Sequence, residues 1–165
     1  MRASRFSHDL LLTCMDPGPD TGLTLLRATE EALRCEATAV ARYDQARGFT
    51  PLTTIKRWRQ EFPDGKHIFV YENFHIRPGA VNVELSALDV IKEVRDWIAD
   101  EKPYAKVVVY EPVHGKHQIP NEVLERMGLL QKGGITRHAN DATRHGVTYL
   151  TQLRHRPTSL LAFPK

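Results

Sequence analysis

The stretch that decides the fold runs from Leu10 to Gly22, LLLTCMDPGPDTG. Leu10 to Met15 is apolar apart from Thr13, which predicts a short strand buried on both faces, as in the middle of a mixed or parallel sheet. The run stops at Asp16, and Pro17, Gly18, Pro19, Asp20, Thr21 and Gly22 follow. A carboxylate therefore stands at the end of a buried strand, beside a turn whose glycines let other groups approach closely. A second apolar run, Thr21 to Arg27, begins at once as the return arm of a hairpin. Taken alone, a turn rich in Asp, Pro and Gly specifies only a hairpin. The rest of the chain gives Asp16 its further meaning.

With 165 residues the chain is long enough for one domain with one core. Its 41% apolar and 26% charged residues are those of an ordinary globular protein rather than a disordered one. A net charge of +3 permits a polyanionic partner without demanding one. The two cysteines, Cys14 and Cys35, make neither a disulfide framework nor a zinc motif, so a reducing compartment such as the cytoplasm is expected. The opening MRASRFSHD leads into an apolar run too short for a signal-peptide core or a membrane span, so no membrane partner is expected.

Leu10–Met15, Thr21–Arg27 and Ala32–Tyr43 predict three consecutive strands. A short helix over about Thr53 to Glu61 follows, stopped by Pro63, Asp64 and Gly65. His67–Tyr71 is the fourth strand and again ends on an acid, Glu72. Glu84 to Asp100 has the clearest helical period, and Lys106–Tyr110 is a fifth strand closed by Glu111. The loop Pro112 to Ile119, a short helix Asn121–Met127, and a helix capped by Thr136 and running to about Leu153 complete the core. The tail, 154–165, reads as irregular. This order predicts an α/β domain: a mixed five-stranded sheet, a three-strand meander followed by crossover strands, flanked by helices. The first and fourth strands then lie side by side and parallel, with ligands gathering beyond their carboxyl ends.

That topology brings Asp16 and Glu72 together. Two carboxylates held close in a partly dry cleft repel one another, and a hard cation, magnesium or manganese, is the usual remedy. In the last helix, RHANDATRH places His138 and Asp141 three residues apart on one face. A surface histidine and a first-turn acid favoured by the helix dipole are the plainer explanations of each residue singly. Their convergence with the two strand-end acids is the stronger signal.

These motifs resemble the RNase H-like nucleases, and most closely the RuvC-type Holliday junction resolvases, small bacteriophage versions among them. The carriers are Asp16-Pro17-Gly18-Pro19-Asp20-Thr21-Gly22 after the first strand, Glu72 in VYENF after the fourth, and His138-Ala139-Asn140-Asp141-Ala142 in the last helix. The likeness spans about Leu10 to Leu153, as a single RNase H-like domain. It implies a structure-selective endodeoxyribonuclease that hydrolyses phosphodiesters in four-way or branched DNA with two Mg2+ or Mn2+ ions per site. By the same resemblance Asp16, Glu72, His138 and Asp141 are the metal ligands, with Asp16 bridging. Lys116 is the candidate for meeting phosphate charge, with His114 and His117 as lesser helpers, and the product is a nick with a 5′ phosphate.

Lys56, Arg57, Arg59, Arg77, Lys132, Arg137 and Arg144 are predicted near the cleft or its rim and suit phosphate contact, although solvated surface charge is the default for each. Phe74, two residues past Glu72, is either a core residue or an aromatic wedge of the kind resolvases place after this glutamate. Glu111, on an outer strand, reads as a rim acid. A four-way junction has two-fold symmetry, so a C2 homodimer is expected, with the Glu84–Asp100 helix and its Trp97 as one possible interface. The alternatives are another RNase H-like DNA nuclease, such as a terminase-type enzyme, and a non-catalytic junction-binding module.

Overall fold

The computed structural model describes residues 9–48, 50–76, 79, 85–111 and 119–163. Arg77, His114, Lys116 and His117 lie outside the described residues. Five strands form one mixed sheet: β1 (Leu10–Asp16), β2 (Asp20–Ala28), β3 (Leu33–Arg42), β4 (Lys66–Glu72) and β5 (Lys106–Tyr110), in the order β3-β2-β1-β4-β5. β1 runs antiparallel to β2 and parallel to β4. The expected meander with crossover strands is therefore the observed sheet, and β1 lies at its centre, buried along its whole length. Continuous apolar sequence is what a strand covered on both faces requires.

Side-chain alternation divides β1 and β4 between two layers. Leu10, Leu12, Cys14, Ile68 and Val70 pack on one face beneath α4 (Arg137–Gln152). Leu11, Met15, Phe69 and Tyr71 pack on the other, against α1 (Pro51–Glu61) and α2 (Ser86–Glu101). Asp16 and Glu72 continue the even-numbered series, so both carboxylates emerge on the α4 side. The parallel register pairs Met15 with Tyr71, which sets the two acids opposite one another at the next step.

Helix α4 sits unusually tightly on the sheet. A Cβ on Gly146 would lie 2.6 Å from the Cys14 sulfur, and one on Gly22 would lie 1.9 Å from the His138 carbonyl oxygen. The Thr24 hydroxyl meets the Ala139 carbonyl at 3.0 Å and the Thr143 hydroxyl at 2.9 Å, tying β2 to the first turns of α4.

Two expectations are corrected. Thr136 does not cap α4 with its side chain; its backbone is already helical, and its hydroxyl donates to Gly133 and Gln131 carbonyls in the preceding loop. The segment after Leu153 is not irregular throughout, because Arg156–Ala162 forms α5 beyond a reversal at Arg154, whose φ is +58°. Buried His155 secures that reversal, with one ring nitrogen 2.6 Å from the Thr29 carbonyl and the other 2.6 Å from the Thr158 hydroxyl. Cys14 and Cys35 are both free thiols, as their separation by β2 predicts. A short helix, α3 (Asn121–Arg126), precedes the loop that leads into α4. Among the described residues no helix is long and apolar enough to cross a membrane.

Candidate functional site

The site lies where β1 and β4 end under the N-terminal half of α4. Asp16 is 7% and Glu72 8% exposed. Two anions so nearly out of water require compensation from neighbouring donors or cations. The His138 ring supplies part of it, with Nδ1 3.4 Å from Asp16 Oδ2. Gly22 makes this approach possible. It pairs with Asp16 across the hairpin, and its missing side chain is the space that the His138 backbone occupies. The turn itself is closed by Thr21, whose hydroxyl donates to the Gly18 carbonyl at 2.8 Å.

Sequence reading missed His145. This side chain is fully buried, with Nε2 3.7 Å from Glu72 Oε2 and 4.0 Å from Asp16 Oδ1, and its ring stacks at 6.3 Å on Tyr110. The available signal was spacing: 138, 141 and 145 recur at three and four residues, so all lie on one helical face. Residue 145 also closes RHANDATRH, whose first histidine was recognised.

Asp141 is buried one turn beyond His138 and engages Arg144, whose Nη1 donates to its carboxylate at 2.6 Å. Arg144 further donates to the Ile119 carbonyl at 2.8 Å and to the Asn121 side-chain oxygen. Three of its nitrogens are thus engaged, and the guanidinium fixes the Asp141 carboxylate. Among the described residues, no three His, Cys, Asp or Glu side chains stand ready as a metal cage. Asp16, Glu72, His138 and His145 are nevertheless brought together, with Asp141 on the same helix face.

Beside Asp141 a groove of about 780 Å³ opens, lined by Asn121, Lys132, Arg137, Asn140 and Arg144 among others. Asn140 shapes its wall: its side chain accepts from Gln131 N at 2.8 Å and donates to Gln131 O at 2.9 Å, clamping the loop before α4. Arg137 is exposed there, and Lys132 is 3.2 Å from Glu125.

The structure does not bring Lys56, Arg57 and Arg59 to this site. They ride on α1, on the opposite face of the sheet from α4. Lys56 lies over the Trp97 ring, Arg59 over Tyr104, and Arg57 is 3.7 Å from Glu61. They are expected near the cleft or its rim, whereas α1 packs in the layer on the other face of the sheet. Phe74 is half-buried against the α1–α2 core layer. Trp97 also faces that layer, edge-on to Tyr104. Glu111 is exposed and bonds His75 at the rim.

No protein-family profile matches the sequence, and no curated protein matches it. Solved structures do. A Thermus thermophilus RuvC structure superposes with a TM-score of 0.59 at 15% identity, covering 88% of this chain and 97% of that one. T. thermophilus RuvC in complex with a Holliday junction substrate superposes at 0.58 and 13% identity, covering 87% and 96%. Neither bears on the likeness to bacteriophage versions. Five-strand order, strand directions and flanking helices together give this chain a RuvC-like, RNase H-like fold.

Proposed function

We propose that the protein is a metal-dependent endodeoxyribonuclease that resolves four-way or otherwise branched DNA. The observation that carries this reading is the meeting of Asp16, Glu72 and His138 at the β1–β4 carboxyl ends, with Asp141 one turn on. They lie in a fold shared with a RuvC that was solved on a Holliday junction substrate. Carboxylates facing each other with little water suit two divalent ions, Mg2+ or Mn2+, and the buried His145 nitrogens, which lack hydrogen-bond partners among the described residues, show donor capacity left for them. When bound, such ions activate a water and stabilise the leaving oxygen of an in-line displacement at phosphorus.

Asp16 holds the centre of this arrangement because it lies between the Glu72 side and the His138 side. Glu72 serves one flank; His138 and Asp141 serve the other. Arg144 fixes the orientation of the Asp141 carboxylate. Rigid attachment of Asp16 and Glu72 to paired strands keeps their positions constant as substrate binds, which is where positioning contributes most. Lys116 is assigned to phosphate charge, and Arg137 and Lys132 to the backbone of a strand lying in the groove beside α4. Phe74 is assigned to the junction branch point, and Arg77 to the phosphate backbone.

A symmetric junction cut on both sides needs two sites, so the working unit is taken as a C2 homodimer. An exposed apolar strip supports this: Val107 and Val109 on edge strand β5 are 38% and 45% exposed beside Leu88 and Ile98 of α2.

The test is cleavage of a labelled synthetic four-way junction against linear duplex, in Mg2+ and in Mn2+, by the wild-type protein and Asp16→Asn. Junction-selective cutting that Asp16→Asn abolishes supports the assignment. Equal cutting of linear duplex points to a terminase-type nuclease, and junction binding without cleavage in either metal points to a non-catalytic module.

A further inference from the structure

His145 has no counterpart among the residues that the resemblance identifies, and its surroundings are unusual. The ring is fully buried, yet neither nitrogen has a hydrogen-bond partner among the described residues. An unsatisfied buried donor or acceptor is costly, so natural cores retain few of them without a use. Nε2 points between Asp16 and Glu72 at 4.0 and 3.7 Å, too far for hydrogen bonds. These separations do suit donors sharing one cation, since two ligand atoms each about 2.1 Å from an ion lie about 3–4.2 Å apart, according to the angle between them. A ring that coordinates through Nε2 leaves only Nδ1 without a partner among the described residues. Tyr110, stacked on the ring with an interplanar angle of 26°, holds its plane toward the acids.

We propose that His145 is a nitrogen ligand of the cation shared by Asp16 and Glu72, and that it makes this site prefer manganese to magnesium. The inference rests on the metal-site reading above. An imidazole nitrogen favours a first-row transition ion over magnesium, and manganese is the member of that row whose ligand preference lies nearest to magnesium's carboxylate oxygens. Residue 145 would then set metal choice from beneath the site, out of contact with DNA.

The test uses the full-length protein and Mn2+ as probe. Pulsed electron paramagnetic resonance reports coupling from a directly bound imidazole 14N, and calorimetry gives Mn2+ and Mg2+ affinities. His138→Asp removes the other imidazole. Nitrogen coupling should persist in His138→Asp and vanish in His138→Asp/His145→Leu. His145→Leu alone should weaken Mn2+ binding at least about tenfold and leave Mg2+ binding within about twofold. His145→Gln, which keeps a polar side chain, supplies the same comparison if the leucine variant unfolds. Mn2+ bound through Asp16 with no nitrogen coupling in His138→Asp overturns the proposal while the metal-site reading stands. Equal loss of both metals in His145→Leu and His145→Gln also overturns it. Absence of any Asp16-dependent Mn2+ binding removes both.

Discussion

Gly22→Ala is the sharpest structural perturbation available at the site. An alanine Cβ there would stand 1.9 Å from the His138 carbonyl oxygen, 2.1 Å from its carbon and 2.6 Å from the Ala139 nitrogen. All three atoms are backbone, so no side-chain rotation relieves the clash. Restoring an ordinary 3.4 Å contact requires moving the start of α4 away from β2 by about 1.5 Å. That movement also breaks the Thr24–Ala139 and Thr24–Thr143 contacts and separates His138 from Asp16. Overpacking of this kind costs about 1–3 kcal/mol, and rigid neighbours put this case at about 3. With a urea slope of about 2 kcal/mol/M, the unfolding midpoint should fall by about 1.5 M. Misplacement of a ligand by more than 1 Å should also reduce junction cleavage by about a hundredfold or more. Gly18→Ala, in the same turn, is the control. Its Cβ would meet nothing closer than 3.6 Å, so stability should change by less than about 0.5 kcal/mol. A Gly22→Ala protein with the wild-type midpoint and full Mn2+ affinity would refute the close approach of α4 to β2.

Other consequences are direct. Burial lowers the pKa of His67, reinforced by the neighbouring Arg59 charge, and burial likewise lowers that of His155. The unfolded chain therefore takes up protons at these residues more readily than the folded one, and stability held above pH about 6.5 is lost as pH falls toward the depressed folded values; urea unfolding at pH about 7.5 and 5.5 should show a lower midpoint in acid, and a rise in acid would contradict the burial of both rings. Asn140→Ala removes two hydrogen bonds to Gln131 and should cost about 2 kcal/mol in urea unfolding, with faster amide exchange at Gln131. Val109→Asp places a charge on the exposed strip of β5 and should convert a dimer to a monomer in sedimentation velocity; an unchanged dimer would move the interface elsewhere.

Much of this architecture was legible because its signals are local. The apolar run of β1, interrupted only by Thr13, announced a central strand, and the acids at 16 and 72 announced where it and β4 stop. Pattern also located α2 and α4, since their periodic apolar residues face the sheet. What escaped depended on contacts between distant segments. His145 looks like any polar residue in a helix until β1 and β4 are folded beneath it. Gly146 is a weak helix former by propensity, and only the proximity of Cys14 and Leu26 explains it. The cations of α1 were assigned to the cleft because composition carries no information about which face a crossover helix covers. The α5 helix, seven residues with a proline in its first turn, has too short a period to read and depends on His155 bridging Thr29 and Thr158.

Anomalous diffraction from crystals of the wild-type protein soaked in Mn2+ addresses the central assignment most directly. The account predicts manganese peaks bonded to Asp16 and Glu72, with His138, Asp141 and His145 completing the ligand set on the α4 side. Fully soaked crystals with manganese only at surface carboxylates such as Glu111, and none touching Asp16, would contradict it.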